Sequence, residues 1–85
     1  MDVYEALFVY FSGLPIETVE ITLTFTQVER IMGSTLPATA WHYRTWWEHP
    51  GGRRMPSQVR AWMRAGWYVE MVDQHKGRAW FRRTQ

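Results

Sequence analysis

The sequence predicts a single α+β domain that ends in a β-hairpin. Three observations support this fold class. Apolar residues recur at helical spacing near the start of the chain, they alternate strictly in one later segment, and two strand-like segments flank a polar turn near the end. Because the 85 residues contain no repeat or linker, residues 1–85 are interpreted as one domain.

The first two elements are predicted to be a helix and a strand. The helix is expected to begin at Asp2 as its cap and to end at Ser12, before Gly13. Its apolar residues follow the i, i+3, i+4, i+7 spacing of one helical face: Tyr4, Leu7, Phe8 and Phe11. Residues 19–25 alternate in polarity, which predicts a half-buried strand. Its inward side chains are expected to be Val19, Ile21, Leu23 and Phe25.

Two further helices are predicted in the middle of the chain. Thr26 and Glu29 have the Thr-x-x-Glu form of a capping box, so a second helix is expected to start there and to end at Gly33. Pro37 suits the first turn of a third helix, which is predicted to run to Trp47. The sequence Pro-Gly-Gly at 50–52 then breaks the chain.

The last part of the chain predicts a short helix followed by a hairpin. The helix covers residues 57–65, and Ser57 is expected to cap it. The strands of the hairpin are residues 67–72 and 78–83, joined by a polar turn that ends in Gly77.

The resulting order is helix-strand-helix-helix-helix-strand-strand. This order predicts a small winged helix-turn-helix-like domain with one additional helix, in which the first strand joins the hairpin in a three-stranded sheet. The helix at 37–47 and the helix at 57–65 are both candidates for the recognition position.

The composition indicates in which cellular compartment the protein occurs and which classes of protein it does not belong to. The chain has no cysteine, so it has neither a disulfide framework nor a thiol nucleophile, and six tryptophans are available for a dense core. The uncharged stretch at residues 6–16 contains Ser12, Gly13 and Pro15, and the first residues are acidic where a signal peptide is basic. We therefore expect a cytoplasmic protein that does not contact a membrane.

Known catalytic and metal-binding patterns are missing from the sequence. It contains no phosphate-binding loop, nucleophile elbow or His-Glu-x-x-His motif, and His42, His49 and His75 have no metal-ligand spacing. We expect no enzymatic activity, no catalytic residue, no bound metal or cofactor, and no small-molecule substrate.

Charge is distributed unevenly along the chain. Residues 1–42 carry one arginine against five carboxylates, a net charge of −4, whereas residues 43–85 carry nine basic against three acidic side chains, a net charge of +6. This polarity favours a basic face that binds a polyanion. In a winged-helix arrangement a helix and a hairpin tip would converge on double-stranded DNA. The predicted DNA contacts are Arg53, Arg54, Arg60, Arg64, Lys76 and Arg78.

The tryptophans support two interpretations. Most are expected in the core, namely Trp41, Trp62, Trp67 and Trp80. Trp46 and Trp47 are adjacent, and neighbouring residues of a helix point about 100° apart, so one of them is expected to be half-exposed. It would either pack under the loop at 48–56 or form an aromatic contact with a partner.

Several short motifs resemble one uncharacterised family. The matching segments are Thr24-Phe25, Ile31-Met32-Gly33, Leu36-Pro37, Trp46-Trp47 and the run from Ala61 through Trp67. The family pattern for that run is Ala-x-x-Trp-x-x-x-Gly-Trp, and the chain shares its Trp-x-x-x-Gly-Trp part at residues 62–67. Together they resemble a small bacterial and phage domain of unknown function over roughly residues 4–83. Members of that family sometimes stand alone and sometimes lie beside nuclease-like domains, so the resemblance favours an association with nucleic acid.

A second function from a different class is a protein-interaction module. An acidic half, a basic half and many aromatic residues would also suit an accessory subunit, a homodimer or a phage-type inhibitor of a host protein. An inhibitor that mimics DNA should be strongly acidic, whereas this chain has a net charge of +2.

Overall fold

The computed structural model describes residues 2–48 and 54–84, and it shows an α+β domain in the predicted element order. The described helices, in chain order, are α1 (Glu5–Ser12), α2 (Phe25–Met32), α3 (Ala38–His42) and α4 (Ser57–Arg64), with a 3₁₀ turn at Arg44–Trp46 between the last two. The strands are β1 (Glu20–Thr24), β2 (Trp67–Asp73) and β3 (Arg78–Arg83). The order and the C-terminal hairpin are as the sequence predicted.

The three strands form one antiparallel sheet in the order β1-β3-β2. The first strand therefore joins the hairpin, as predicted, and the strand it pairs with is β3. A register shift lies between Val69 and Met71 of β2. One face of the sheet is buried under the helices through Leu23, Trp67, Ala79 and Phe81. Phe11 of α1 packs on this face, with ring centroids 4.7 Å from Phe81 and 5.6 Å from Trp67.

The boundary between β1 and α2 differs from the prediction. Val19 is exposed and lies outside the strand, and Phe25 is the first residue of α2 rather than the last of β1. The predicted cap at Thr26 is wrong, because Thr24 caps the helix in a capping box with Gln27. The Glu29 carboxylate instead accepts the Leu36 N–H at 2.8 Å.

Other helix ends were predicted with mixed success. Gly33 ends α2 in the left-handed conformation at φ 71°, as expected. The helix α1 begins at Glu5, and Asp2 accepts the Tyr4 N–H in the turn before it rather than capping the helix. Ser57 is the first residue of α4 and makes no side-chain cap, so its predicted role is also wrong.

The predicted helix at 37–47 is interrupted at Tyr43. This residue is extended (φ −128°, ψ 122°) and separates α3 from the 3₁₀ turn. An unbroken helix would hold positions 40 and 47 about 10 Å apart along its axis. The interruption lets the chain fold back, and the Trp47 indole Nε1–H donates to the Ala40 carbonyl at 2.8 Å.

Candidate nucleic-acid interface

The helix α4 presents arginines outwards because its other side fills the core. Pro56 precedes the helix in an extended conformation, and the buried side chains are Gln58, Val59, Ala61 and Trp62. Arg60 and Arg64 lie on the remaining side and are exposed. Residues four apart share a helical face, so the two guanidinium groups project from the same stripe.

One polar side chain of α4 is buried and positions the helix. The Gln58 amide Nε2 donates to the Trp46 carbonyl at 2.9 Å, which fixes the start of α4 against the 3₁₀ turn. A buried amide needs such a partner, because an unpaired polar group in the core is costly. Sequence reasoning missed Gln58, since nothing in its local pattern distinguishes it from a surface glutamine.

Three of the predicted contacts line one groove on α4. Arg54, Arg60 and Arg64 surround it together with Met55 and Met63. The Arg60 guanidinium also donates to the Met55 carbonyl at 3.2 Å, which holds the segment before α4 beside the helix. The arginines give the groove positive charge, and the two methionines give it an apolar surface. Such a surface is suited to an anionic partner.

Arg64 also contacts α1. Its guanidinium lies 3.6 Å from the Glu5 carboxylate and 4.2 Å from the centroid of the Phe8 ring. Both charged side chains are about half exposed, so this pair contributes little to stability. It restricts the orientation of Arg64 while leaving the guanidinium in contact with solvent.

The hairpin tip is held against the start of α2 and against α3. Phe25 donates its backbone N–H to the Gly77 carbonyl at 2.7 Å, and Gln74 donates to the Ala40 carbonyl at 3.3 Å. Gly77 adopts φ 68°, which glycine tolerates best, and a side chain there would contact Trp41. Lys76 is exposed at this anchored tip.

Arg78 lies at the base of the tip, in register with Thr24 and Asp73. Its guanidinium carbon is 5.5 Å from the centroid of the Trp80 ring, on the sheet face away from the core. The side chain is partly buried, and within residues 2–48 and 54–84 its Nε atom has no hydrogen-bond partner. Arg78 is therefore less available to a partner than Lys76.

The structure does not gather all six predicted contacts into one groove. Arg54, Arg60 and Arg64 are together, whereas Lys76 and Arg78 belong to the hairpin. The segment from Ala40 to Trp46 links the two groups, because Ala40 bonds the hairpin tip and Trp46 bonds the start of α4. Arg53 lies outside the described residues.

The tryptophan pair is divided between core and surface. Trp47 is fully buried, so its ring belongs to the core and is not available as a partner contact. Trp46 is half-buried and packs edge-on against Tyr4, at 6.2 Å, and Trp62. Part of the loop under which one of the two tryptophans was expected to pack, residues 49–53, lies outside the described residues. The surroundings of Tyr4 raise the pKa of its hydroxyl above the usual 10.0. Burial is the larger cause, and the negative charge of Asp2 is the smaller one.

The other predicted core tryptophans also differ in burial. Trp62 and Trp67 are fully buried, as expected. Trp41 is 37% exposed and Trp80 is half-buried, so neither is a full member of the core. Trp80 lies on the open face of the sheet, where it alternates with the buried Ala79 and Phe81.

Arg82, on the open face of the sheet, is already paired. Arg82 donates to Glu70 at 3.2 Å and to Glu20 at 3.3 Å, so the one positive charge of this cluster faces two negative charges. The hydrogen bond to Glu70, followed by the negative charges of Glu70 and Glu20, raises the pKa of Arg82 further. This face therefore offers less positive potential than the groove on α4.

The histidines and carboxylates of the described ranges form no group of three or more that could hold a metal ion. His49 is among the residues that the structure does not describe. In the same ranges no helix is long and apolar enough to cross a bilayer.

The fold and the site together define a small α+β domain with an arginine-bearing surface helix. Residues 11–84 match a family described as a domain of unknown function (DUF7662), and the chain belongs to that family. The expectation of an uncharacterised domain family is confirmed at this level. Neither the curated proteins nor the solved structures contain a match to the chain.

Proposed function

We propose that this domain binds double-stranded DNA as a winged-helix-like module, with α4 as its recognition helix and the β2–β3 hairpin as its wing. The observation that carries the proposal is the groove on α4. It brings Arg54, from the segment before the helix, beside Arg60 and Arg64 on a helix whose other face is anchored in the core.

The topology supports this assignment. The sheet order β1-β3-β2 and a helix directly before the hairpin are the arrangement expected of a winged helix. Of the two candidate recognition helices, α4 is favoured because α3 has only five residues and carries neither arginine nor lysine. The helix α4 has eight residues and carries Arg60 and Arg64.

The charges of the described residues favour a nucleic acid over other partners. Arginine can bind phosphate or guanine with two parallel hydrogen bonds. It can therefore both position the protein on the DNA backbone and recognise a base. Lys76 at the hairpin tip would add a phosphate contact on the same duplex. The acidic residues of the first half lie mainly on other elements, although Glu5 reaches Arg64.

Fluorescence anisotropy with a random-sequence duplex across a salt series tests the proposal. We expect the logarithm of the affinity to fall linearly with the logarithm of the salt concentration. Arg60→Ala combined with Arg64→Ala should weaken binding by about tenfold or more at low salt and reduce the slope by about two, because each lost phosphate contact removes about 0.9.

Arg82→Ala is the matched control, because it removes an arginine from the open sheet face rather than from α4. It should change the affinity much less than Arg60→Ala. Circular dichroism verifies that each variant is folded. Unchanged affinity in the folded double variant, or an equal loss in Arg82→Ala, would show that α4 is not the DNA-binding surface.

A further inference from the structure

The helix α1 is apolar on nearly all sides, although only one side faces the core. Glu5 and Ser12 are the polar residues among its eight. Leu7 and Phe11 are fully buried, but Val9 on the other side is 62% exposed. A helix that is hydrophobic all round is normally covered on every side, so the outer side of α1 lacks a cover within the described chain.

The uncovered side forms a groove of about 670 Å³ between α1 and α2. Its apolar lining consists of Val3, Ala6, Val9, Tyr10, Ile31 and Met32. Val3 is itself 42% exposed, just before the helix. A contiguous exposed apolar patch of this kind on a small domain indicates an interaction site.

Charges of opposite sign lie at the two ends of this groove. Asp2 and Glu5 line the end at the N-terminus of α1. Arg30 lies near the other end, where it lines an adjoining depression together with Tyr10 and Ile31. The groove therefore runs from a negative end, over an apolar centre, to a positive end.

We infer that the groove between α1 and α2 is the interface of a homodimer, in which two copies pack their α1 helices antiparallel about a twofold axis. Rotation by 180° superimposes the apolar centre on itself and brings the acidic end of each copy to Arg30 of the other. A twofold interface requires such self-complementarity, in which each contact occurs twice. A partner with uniformly basic charge would match Asp2 and Glu5 but would face Arg30 with like charge.

The apolar centre would supply most of the association free energy, and the charges would set the orientation. The exposed valines provide the test, because Val9 lies in the groove whereas Val19 is 53% exposed and lies outside it. Val9→Glu places a carboxylate in the proposed interface, and Val19→Glu makes the same chemical change elsewhere.

Sedimentation velocity over a concentration series, without DNA, measures the dimerisation constant. We expect a dimer in the wild type and in Val19→Glu, and a dimerisation constant weakened by about tenfold or more in Val9→Glu. The exposure of both valines means that both variants should fold, which circular dichroism checks. A wild type that stays monomeric at every concentration, or a Val9→Glu protein that dimerises as well as the wild type, overturns the inference.

A charge exchange tests the orientation separately. Arg30→Glu should weaken dimerisation because it places carboxylates at both ends of the groove, and Asp2→Arg added to Arg30→Glu should recover much of the loss. A double variant as weak as Arg30→Glu alone contradicts the antiparallel arrangement. Because no DNA is present in these measurements, their outcome is independent of whether α4 binds DNA.

Discussion

At the scale of single residues, Trp47 contributes most visibly to the packing of the core. Its ring stacks between Phe25, at 4.8 Å and 19°, and Trp62, at 6.0 Å and 13°. Its Nε1–H donates to the Ala40 carbonyl, so the one polar atom of the side chain is satisfied. The sequence indicated that Trp46 and Trp47 could not share one orientation, and in the structure Trp47 is the one that points inwards, against Phe25 and Trp62.

Trp47→Phe should lower the free energy of unfolding by about 1–3 kcal/mol, because it leaves a void and removes a buried hydrogen bond. Trp41→Phe is the matched control, since Trp41 is 37% exposed and packs edge-on against the same Phe25 ring. Its cost should stay below about 1 kcal/mol. Urea unfolding measures both, and equal losses would contradict the central position of Trp47.

At the scale of elements, two overlapping capping-box patterns compete at the junction between β1 and α2. Thr24 with Gln27 and Thr26 with Glu29 both have the spacing of a capping box. The structure uses the first, in which Thr24 accepts the Gln27 N–H at 3.0 Å and donates its own backbone N–H to the Gln27 side chain at 2.8 Å. The sheet decides between them, because the Phe25 N–H bonds Gly77 of the hairpin and sets where the strand ends.

Thr24→Ala should therefore destabilise the domain by about 1 kcal/mol, the usual cost of removing a helix cap. Thr26→Ala changes an exposed residue inside α2 and should cost much less or be neutral. The midpoints of thermal unfolding compare the two variants directly. A larger loss of stability in Thr26→Ala than in Thr24→Ala would instead support the cap at Thr26 that the sequence predicted.

At the scale of the whole molecule, hydrogen bonds from Arg83 of β3 connect the loop between α1 and β1 to the sheet. Its guanidinium donates to the Thr18 carbonyl at 2.9 Å and to the Pro15 carbonyl at 2.8 Å. The same group lies 4.6 Å from the centroid of the Trp67 ring. The two hydrogen bonds join segments more than 60 residues apart in the chain, so no local pattern could have identified them.

Arg83→Lys should lower the free energy of unfolding by about 1–3 kcal/mol, because an ammonium group cannot reproduce the planar fork that bonds two carbonyls and stacks on a ring. Its neighbour Arg82 provides the control, since it forms exposed ion pairs on the other face of the sheet. The urea midpoint of Arg82→Lys should stay close to that of the wild type. Similar shifts in both variants would mean that the contacts of Arg83 do not stabilise the loop.

The candidate site was predictable in part. Arg60 and Arg64 could be assigned to one helical face from their spacing alone, and Lys76 to a hairpin tip from the polar turn that contains it. The separation of Lys76 and Arg78 from the groove on α4 could not be foreseen. It depends on the segment from Ala40 to Trp46, which bonds the hairpin tip through Gln74 and the start of α4 through Gln58.

Local spacing by itself was enough to determine the order of the elements, the presence of the C-terminal hairpin and the exposed stripe of α4. These features depend on periodicity and on turn residues, which act over a few positions of the chain. Only the tertiary structure decided which tryptophan enters the core, which threonine caps α2 and which side of the apolar helix α1 stays uncovered. Each of these depends on contacts between segments distant in sequence, where the free energy of packing selects among alternatives that are locally equivalent.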